Sequence, residues 1–276
     1  EMIMLTLSGP ESYYDYRGHG MGLQYLLCDK FAQNIGVSLR VEVCKDTLDM
    51  IRQLNKGDGD IIAFPLPENL PEKIKKNLLY CGVSMNSAKA QWVVNKNNKE
   101  LADSLNRWFK PEMVEETRRE ENFLLSTRSI VRHVYSPMLN RSAGIISRYD
   151  HLFQMFAPMA RMDWRLMAAQ CYQESCFDPN AHSWAGAEGL MQIMPSTADH
   201  LGLPMSAIHD AESNVAAAAK YMAELQGHFS DIGDPTQRVL FALAAYNGGF
   251  HHIRDAMNLT RKQGGNPYNW GHVREY

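Results

Sequence analysis

Residues 163–197 read DWRLMAAQCYQESCFDPNAHSWAGAEGLMQIMPST, and the first part of this stretch has the spacing of an α-helix. Met167 and Cys171 lie one turn apart in a helix that starts near Asp163, and Glu174 follows on the same apolar face. A carboxyl group at the end of such a face loses hydration, so we expect its pKa to rise until it stays protonated near neutral pH. That property suits a general acid, although a helix-terminal glutamate in a salt bridge fits this pattern equally well.

The second part of the stretch contains a loop with two glycines, GAEGLMQIMP, in which one amide side chain interrupts an apolar run. The amide of Gln192 is suited to hydrogen-bond an acetamido or hydroxyl group, and Met191 or Met194 to offer apolar surface to a sugar ring. Further along the chain, Tyr246 and Asn247 stand at the end of a predicted helix. Taken one by one, these residues are also compatible with core packing and ordinary helix termination.

Three motifs, QES, SWAGAEGLMQIMPSTA and ALAAYNGG, occur in this order between residues 149 and 260. Together they resemble the lytic transglycosylases, which cleave peptidoglycan and share a lysozyme-like fold. The resemblance implies that Glu174 is the catalytic residue. It implies substrate-binding or cleft positions for the residues that match the rest of the motifs: Ser183, Gln192, Met194, Tyr246 and Asn247. All of these positions hold residue types of the family pattern, which indicates an active enzyme.

The resemblance also implies a mechanism with one carboxyl group, whereas most glycoside hydrolases use two. Asp178, Glu188 and Asp199 are other nearby carboxylates, and none has a position comparable to that of Glu174. Glu174 is then expected to protonate the oxygen between N-acetylmuramic acid and N-acetylglucosamine. As a base it would next assist attack by the muramyl 6-hydroxyl, which gives a 1,6-anhydro end. Two alternatives stay open: a lysozyme-type hydrolase, and a non-catalytic protein that binds or senses peptidoglycan.

The first third of the chain alternates strand-like and helix-like segments. A strand-like run near Met4, a helix from 22 to 35 and an alternating strand from 39 to 43 come first. A helix that is capped by Asp46 and ends before Gly57 follows, and then a strand from Asp60. This β-α-β-α-β order predicts an α/β layer with parallel strand pairing and right-handed connections.

The same region resembles the first lobe of type 2 periplasmic solute-binding domains, most clearly in YDYRGHGMGLQYLLCDKFAQNIGVSLRVEV and LNKGDGDIIAF. Such domains have two lobes that close on a ligand, but here LLYCG leads directly into a strand and a helix like those that return to the first lobe. We therefore expect the second lobe to be missing at Gly82/Val83. The resemblance suggests a muropeptide or an amino acid as ligand. One cluster of aromatic and basic residues has two interpretations, a surface that binds a ligand and packing at the edge of a sheet: Tyr13, Tyr14, Tyr16 and Arg17.

These segments predict an α+β multidomain chain. A solute-binding-like α/β lobe of the type 2 periplasmic binding-protein kind is expected over residues 1–110, a charged linker over 111–146, and a mostly α, lysozyme-like catalytic domain over 147–276. Asp234 and Pro235 mark the start of one helix in the last region. The linker is expected to form a solvated helix and a surface segment rather than a dedicated anion site.

Composition excludes several classes of partner. The 276 residues carry 28 Lys and Arg against 31 Asp and Glu, a net charge of −3 that leaves no surplus for a phosphate backbone, so we expect no nucleic-acid partner. The ten histidines include the adjacent pair His251-His252, which points to different helix faces, and no CxxC occurs. We therefore predict neither a metal nor a cofactor. The irregular spacing of the five cysteines predicts buried thiols.

No run of the sequence approaches the ~20 apolar residues of a bilayer-spanning helix, and the first ten residues do not have the pattern of an export signal. The resemblance implies peptidoglycan glycan strands as the partner. A periplasmic location follows from that partner, and we expect contact with the outer membrane only through a lipid anchor that is not in this sequence.

Overall fold

A computed structural model describes residues 1–85, 90–135 and 138–276, and its contacts divide the chain into two units, Glu1–Ser126 and Thr127–Tyr276. The elements of the first unit are, in chain order, β1 (Met2–Thr6), β2 (Tyr14–Tyr16), β3 (His19–Met21), α1 (Leu23–Asn34), β4 (Leu39–Val43), α2 (Thr47–Lys56), β5 (Ile61–Pro67), α3 (Glu72–Lys75), β6 (Leu78–Met85), β7 (Ala90–Asn95), α4 (Lys99–Trp108) and α5 (Glu112–Leu125).

The main sheet of the first unit has the strand order β4-β1-β5-β7-β6. β1 pairs in parallel with β4 and β5, as the sequence predicts, and β7 is antiparallel to both β5 and β6. Alternation along the strands places Met4 and Trp92 in one buried apolar cluster and Leu5 and Val93 in another. Both faces of the sheet are therefore covered, which is typical of parallel pairing.

The ends of α2 follow the local pattern of the sequence. Asp46 caps its start, and the carboxylate accepts a hydrogen bond from the N–H of Asp49 at 2.8 Å. Gly57 ends the helix in the left-handed region with φ 83°, a conformation that glycine adopts without a steric penalty. The prediction of this helix and of both its ends is confirmed.

A two-stranded hairpin, β2–β3, was not predicted from the sequence. Its turn holds Arg17 at φ 54° and Gly18 at φ 82°, and two successive positive φ angles match the twist of a tight hairpin. The hydroxyl of Tyr14 donates to Glu121 at 3.0 Å, and the guanidinium of Arg17 lies 5.4 Å from the centre of the Tyr16 ring. These contacts favour the packing interpretation of the tyrosine cluster.

Gly82 and Val83, where the sequence suggests that a second lobe is missing, lie inside β6. The strand forms a bulge there, and the N–H of Gly82 donates to Asn106 Oδ1 at 2.6 Å. Gly82 has φ 60°, and a Cβ atom at this position would lie 2.6 Å from Leu105 Cδ2. β6 then pairs with β7 as far as the last residue before the undescribed segment 86–89.

The segment predicted as a linker over 111–146 is divided between the two units. Its first part is α5, which belongs to the first unit and packs against α1: Thr117 is fully buried and accepts a hydrogen bond from Lys30 Nζ at 3.1 Å. Met113 and Val114 contact the apolar cluster of the sheet. The many charged residues of α5 hide this buried face in the sequence. The boundary between the two units follows Ser126 and therefore lies inside the segment 111–146 that was predicted as a linker.

The second unit is helical. Its α-helices are α6 (Asp150–Ala160), α7 (Trp164–Ser175), α8 (Pro195–Leu201), α9 (Ala211–His228), α10 (Pro235–Gly248), α11 (Phe250–Lys262) and α12 (Trp270–Val273). Within residues 127–135 and 138–276 the backbone forms isolated bridges but no strand. Asp234 caps α10 and Pro235 is its first residue, as predicted. The predicted fold class, an α/β region followed by a mostly α region, is confirmed.

All five cysteines are buried and unpaired, as predicted. Burial raises the pKa of the thiols of Cys81 and Cys171 to about 12, and it raises the pKa of Cys28 as well. Among the helices that the structure describes, none has both the length and the apolar character needed to cross a bilayer.

Candidate active site

Glu174 is the penultimate residue of α7, and only 7% of its surface is exposed. Asp163 caps the start of this helix through a hydrogen bond from the N–H of Arg165 at 2.8 Å. Met167 and Cys171 are fully buried on the face that Glu174 shares, as the spacing predicts. Burial raises the pKa of Cys171, and the negative charge of Glu174 adds to this rise. The carboxyl group is therefore shielded from bulk solvent and adjoins the core of the unit.

The turn that follows Glu174 has an uncommon backbone. Cys176 and Phe177 have φ angles of 50° and 63°, in the left-handed region where a residue with a side chain costs roughly 1–2 kcal/mol. Phe177 is 2% exposed and its ring lies 6.4 Å from that of Phe153. Strained backbone of this kind persists where the surrounding structure holds it and is found at functional sites.

The loop after this turn begins with a tight turn at Ser183. The Ser183 hydroxyl accepts a hydrogen bond from the N–H of Ala187 at 2.9 Å, and the N–H of Ser183 donates to the carbonyl of Ala187 at 2.9 Å. Gly186 occupies this turn with φ 96°. The predicted cleft serine thus shapes the loop that precedes Gln192.

Asn214 on α9 fixes the centre of the loop, and sequence reasoning missed it. It is fully buried; its Oδ1 accepts from the N–H of Met191 at 2.8 Å, and its Nδ2 donates to the carbonyl of Ile208 at 2.7 Å. Gly189 packs directly on this side chain with φ 81°, and a Cβ atom there would lie 2.7 Å from the carbonyl oxygen of Ile208. In the sequence, Asn214 could have been noticed as a polar residue beside the apolar residues that line one face of α9.

Gln192 is 3% exposed and has φ 51°. Its Nε2 donates to the carbonyls of Ala181 at 3.0 Å and Gly189 at 2.9 Å, so the amide nitrogen is used inside the loop. Its Oε1 is buried and has no hydrogen-bond partner among the described residues. Met191 is fully buried, whereas Met194 is half-buried at the start of α8. Only Met194 of the two methionines therefore retains surface for a ligand.

Tyr246 and Asn247 lie in the last turn of α10, as predicted. The Tyr246 hydroxyl donates to the carbonyl of Met191 at 2.6 Å, and its ring lies 5.4 Å from that of Tyr221. Tyr246 is buried and Asn247 is exposed. The phenol thus connects the end of α10 to the residue before Gln192.

Three helices converge on Leu190 and Met191. The thiol of Cys171 on α7 donates to the carbonyl of Leu190 at 3.4 Å, and Asn214 and Tyr246 bind the backbone of Met191. The loop that carries Gln192 is consequently attached to the helix of Glu174, to α9 and to the end of α10. Of the predicted site residues, Ser183 and Met194 flank this convergence on either side of the loop.

Two of the other carboxylates near the motifs have structural partners. Asp178 is buried and accepts from the N–H groups of His133 at 2.8 Å and Asn180 at 2.9 Å. Glu188 lies 3.4 Å from His209 Nε2, while Asp199 is exposed on α8. In the described part of the chain, no group of three or more histidine, cysteine or acidic side chains is arranged to hold a metal ion.

Residues 151–269, which include this site, match the protein-family model described as Transglycosylase SLT domain. Over these residues the second unit is similar to the transglycosylase SLT domain. This finding confirms the resemblance to the lytic transglycosylases and the lysozyme-like class of the unit. The matched range contains Glu174 and all the other predicted site residues.

Curated relatives of the chain bear the name "Membrane-bound lytic murein transglycosylase F". One from Desulfosudis oleivorans is 35% identical over 187 residues, which cover 67% of this chain and 40% of the relative. One from Marinobacter nauticus is 40% identical over 131 residues, covering 48% of this chain and 26% of the relative. One from Salmonella choleraesuis is 37% identical over 151 residues, covering 55% and 27%. The matched part thus spans less than half of the length of each of these relatives.

Among solved structures, the arginine-bound form of domain 1 from TmArgBP is similar to 42% of this chain and to 90% of that domain, with 18% sequence identity and a TM-score of 0.32.

Proposed function

We propose that this chain is a peptidoglycan lytic transglycosylase in which Glu174 acts first as acid and then as base. The observation that carries the proposal is the burial of Glu174, 7% exposed, at the end of a helix that is bonded to the Gln192 loop. The SLT domain over residues 151–269 and the name of the curated relatives support the same reaction class. Burial disfavours a charged carboxylate, which suits a group that must begin the reaction protonated.

The reaction begins with proton transfer from Glu174 to the glycosidic oxygen between N-acetylmuramic acid and N-acetylglucosamine. The bond from the anomeric carbon to that oxygen breaks, and the leaving sugar takes the proton as its hydroxyl. The substrate's own acetamido group stabilises the electron-poor anomeric carbon. The muramyl 6-hydroxyl then attacks this carbon while Glu174 takes its proton, so the enzyme returns to its starting state and no water is consumed. An intramolecular nucleophile has a large entropic advantage over water.

The remaining predicted residues orient the sugar in this proposal. Oε1 of Gln192 accepts a hydrogen bond from an acetamido N–H, since its amide nitrogen is already bound to two carbonyls. Met194 offers its half-buried side chain to a sugar face. Asn247 is exposed at the end of α10, and Tyr246 and Ser183 hold the walls of the site through the bonds described above.

Analysis of the products of purified peptidoglycan tests this function. We expect muropeptides with 1,6-anhydro ends, lighter by one water than the products of hydrolysis, when they are measured by mass spectrometry. Glu174→Gln should lower the rate about 10²- to 10⁴-fold, because the amide neither donates nor retrieves the proton. Asp199→Asn is the matched control, since it makes the same change at an exposed carboxyl of the same domain, and it should retain full activity.

Each other result contradicts part of the proposal. Reducing ends in place of anhydro ends would identify a lysozyme-type hydrolase. Retention of peptidoglycan without cleavage would identify a binding or sensing protein. Undiminished turnover by Glu174→Gln, with an unchanged unfolding curve, would remove Glu174 from its role.

We also propose that the protein works in the periplasm in association with a membrane, with glycan strands as its partner. The substrate lies in that compartment, and the relatives are named as membrane-bound. A muropeptide or amino-acid ligand of the first unit stays a prediction.

A further inference from the structure

A short segment of the second unit, residues 131–135, crosses the end of the helix that carries Glu174; we call it the strap. Val131 and His182 exchange two backbone hydrogen bonds, of 2.9 and 3.1 Å. The N–H of His133 donates to Asp178 Oδ2 at 2.8 Å, and the N–H of Tyr135 donates to the carbonyl of Cys176 at 3.4 Å. The strap is therefore bonded to both sides of the left-handed turn that follows Glu174.

Arg132 makes the most direct contact of the strap with α7. Its Nη1 atom donates to the carbonyl of Gln173 at 3.0 Å and to the carbonyl of Glu174 at 3.1 Å. The last carbonyls of an α-helix have no partner inside the helix. A guanidinium that binds them satisfies these acceptors, and its positive charge is favourable at the negative end of the helix.

The turn beyond α7 explains why such a contact is needed. Two successive residues with side chains, Cys176 and Phe177, have positive φ angles, so the local backbone does not favour this exit from the helix. A relaxed turn would rotate the peptide planes of the last helical residues, and with them the side chain of Glu174. A displacement of about 1 Å in a catalytic group can cost about 10²-fold in rate.

We propose that Arg132 is a positioning residue for Glu174: it holds the carbonyls of Gln173 and Glu174 so that the carboxyl group keeps its direction in the site. The inference rests on the proposed role of Glu174 as acid and base. Arg132 acts through the helix end, so its loss should change the rate of the chemical step rather than the affinity for the glycan.

Kinetics of Arg132→Ala on a soluble, uncrosslinked glycan strand of defined length test the inference. We expect kcat to fall about 10- to 100-fold, with KM within about twofold of the wild-type value. Arg132→Lys should recover most of the lost kcat, because an ammonium group can still bind one or both carbonyls. Arg141→Ala is the matched control: it removes the same charge from an exposed position of the same unit, and it should retain the wild-type kcat.

Hydrogen exchange gives a readout that does not depend on turnover. In the full chain, the amides of residues 172–178 should exchange faster in Arg132→Ala than in Arg141→Ala, and Arg132→Lys should restore their protection. If Arg132→Ala does not fold, the comparison of Arg132→Lys with Arg132→Gln replaces it, and the charged variant is expected to be the faster enzyme.

The two proposals fail in different ways. Loss of activity in Glu174→Gln together with an unchanged kcat in Arg132→Ala would overturn the positioning role alone. A rise in KM without a fall in kcat would also overturn it, since that pattern belongs to a glycan-binding residue. Full activity of Glu174→Gln would instead overturn the proposed function.

Discussion

The helices α2 and α7 end in the same left-handed conformation by different means. α2 ends at Gly57, a residue for which φ 83° carries no steric penalty. α7 ends at Cys176 with φ 50° and continues through Phe177 with φ 63°. The first end is encoded by the residue itself. The second is held by distant contacts, from Arg132 to the helix carbonyls and from Tyr135 to Cys176.

This difference shows where the chain departs from local sequence preference. The end of α2 needs no partner, whereas the end of α7 places Glu174 beside a turn that only the surrounding structure maintains. Strain of roughly 1–2 kcal/mol per residue is tolerated there because the contacts of the second unit offset it. Variants that remove either local or distant determinants test this comparison.

The largest effect is expected at Gly189, which packs closely against residues that are distant along the chain. Gly189→Ala should lower the free energy of unfolding of the second unit by about 2–5 kcal/mol, because the added methyl group meets Asn214 and the carbonyl of Ile208 at an unfavourable φ of 81°. Denaturant unfolding followed by probes of each unit measures the loss. Gly186→Ala is the control, because Gly186 also has a positive φ, of 96°, but no heavy atom lies within 4 Å of an added Cβ atom. This variant should lower the free energy of unfolding by about 1–2 kcal/mol. Equal losses would contradict the role assigned to packing.

A smaller effect is expected at Gly57, where the determinant is local. Gly57→Ala should lower the free energy of unfolding of the first unit by about 1–2 kcal/mol, since φ 83° is unfavourable for alanine and no heavy atom lies within 4 Å of the new methyl group. Gly57→Asn should lower the free energy of unfolding by less than Gly57→Ala, because asparagine tolerates this conformation. If Gly57→Ala instead destabilised the second unit in denaturant unfolding, the end of α2 would not depend on local sequence alone.

The smallest effect is expected at a distant but exposed contact, the pair of Asp231 and Arg254. Hydrogen bonding to Arg254 holds the pKa of Asp231 below its usual range, and the two side chains meet at 2.7 Å. A lowered pKa in the folded state contributes stability above the unfolded-state pKa, and this contribution disappears as the pH falls through the folded-state pKa. Acid unfolding of the second unit should therefore show a small slope that Asp231→Asn lacks. The slope should weaken with added salt, since the pair is exposed.

Sequence reasoning succeeded where a structure depends on neighbours along the chain. It located both ends of α2, the start of α7 near Asp163 and the start of α10, because capping and glycine signals act within one helical turn. It also placed Glu174 on a buried face, because helical periodicity alone determines that face.

The contacts that shape the site could not be predicted in this way. Arg132 binds carbonyls 41 and 42 residues further along the chain, and Asn214 binds the backbone of a residue 23 positions earlier. Periodicity carries no information on such pairs. The sequence also predicted that a ligand would bind the Gln192 amide, but it gave no sign that the amide nitrogen donates to two carbonyls of the protein. The hairpin β2–β3 was within reach, since Arg17 and Gly18 separate two short alternating runs.

Because the cysteines are buried and unpaired, their reaction with a thiol reagent reports local unfolding of the unit in which each of them lies. Cys28, Cys44 and Cys81 lie in the first unit and Cys171 and Cys176 in the second. A thiol whose pKa is raised to about 12, such as that of Cys81 or Cys171, is almost entirely protonated at neutral pH and reacts slowly with alkylating agents. Covalent labelling, located by peptide mapping, would therefore record separately how often each half of the molecule exposes its interior.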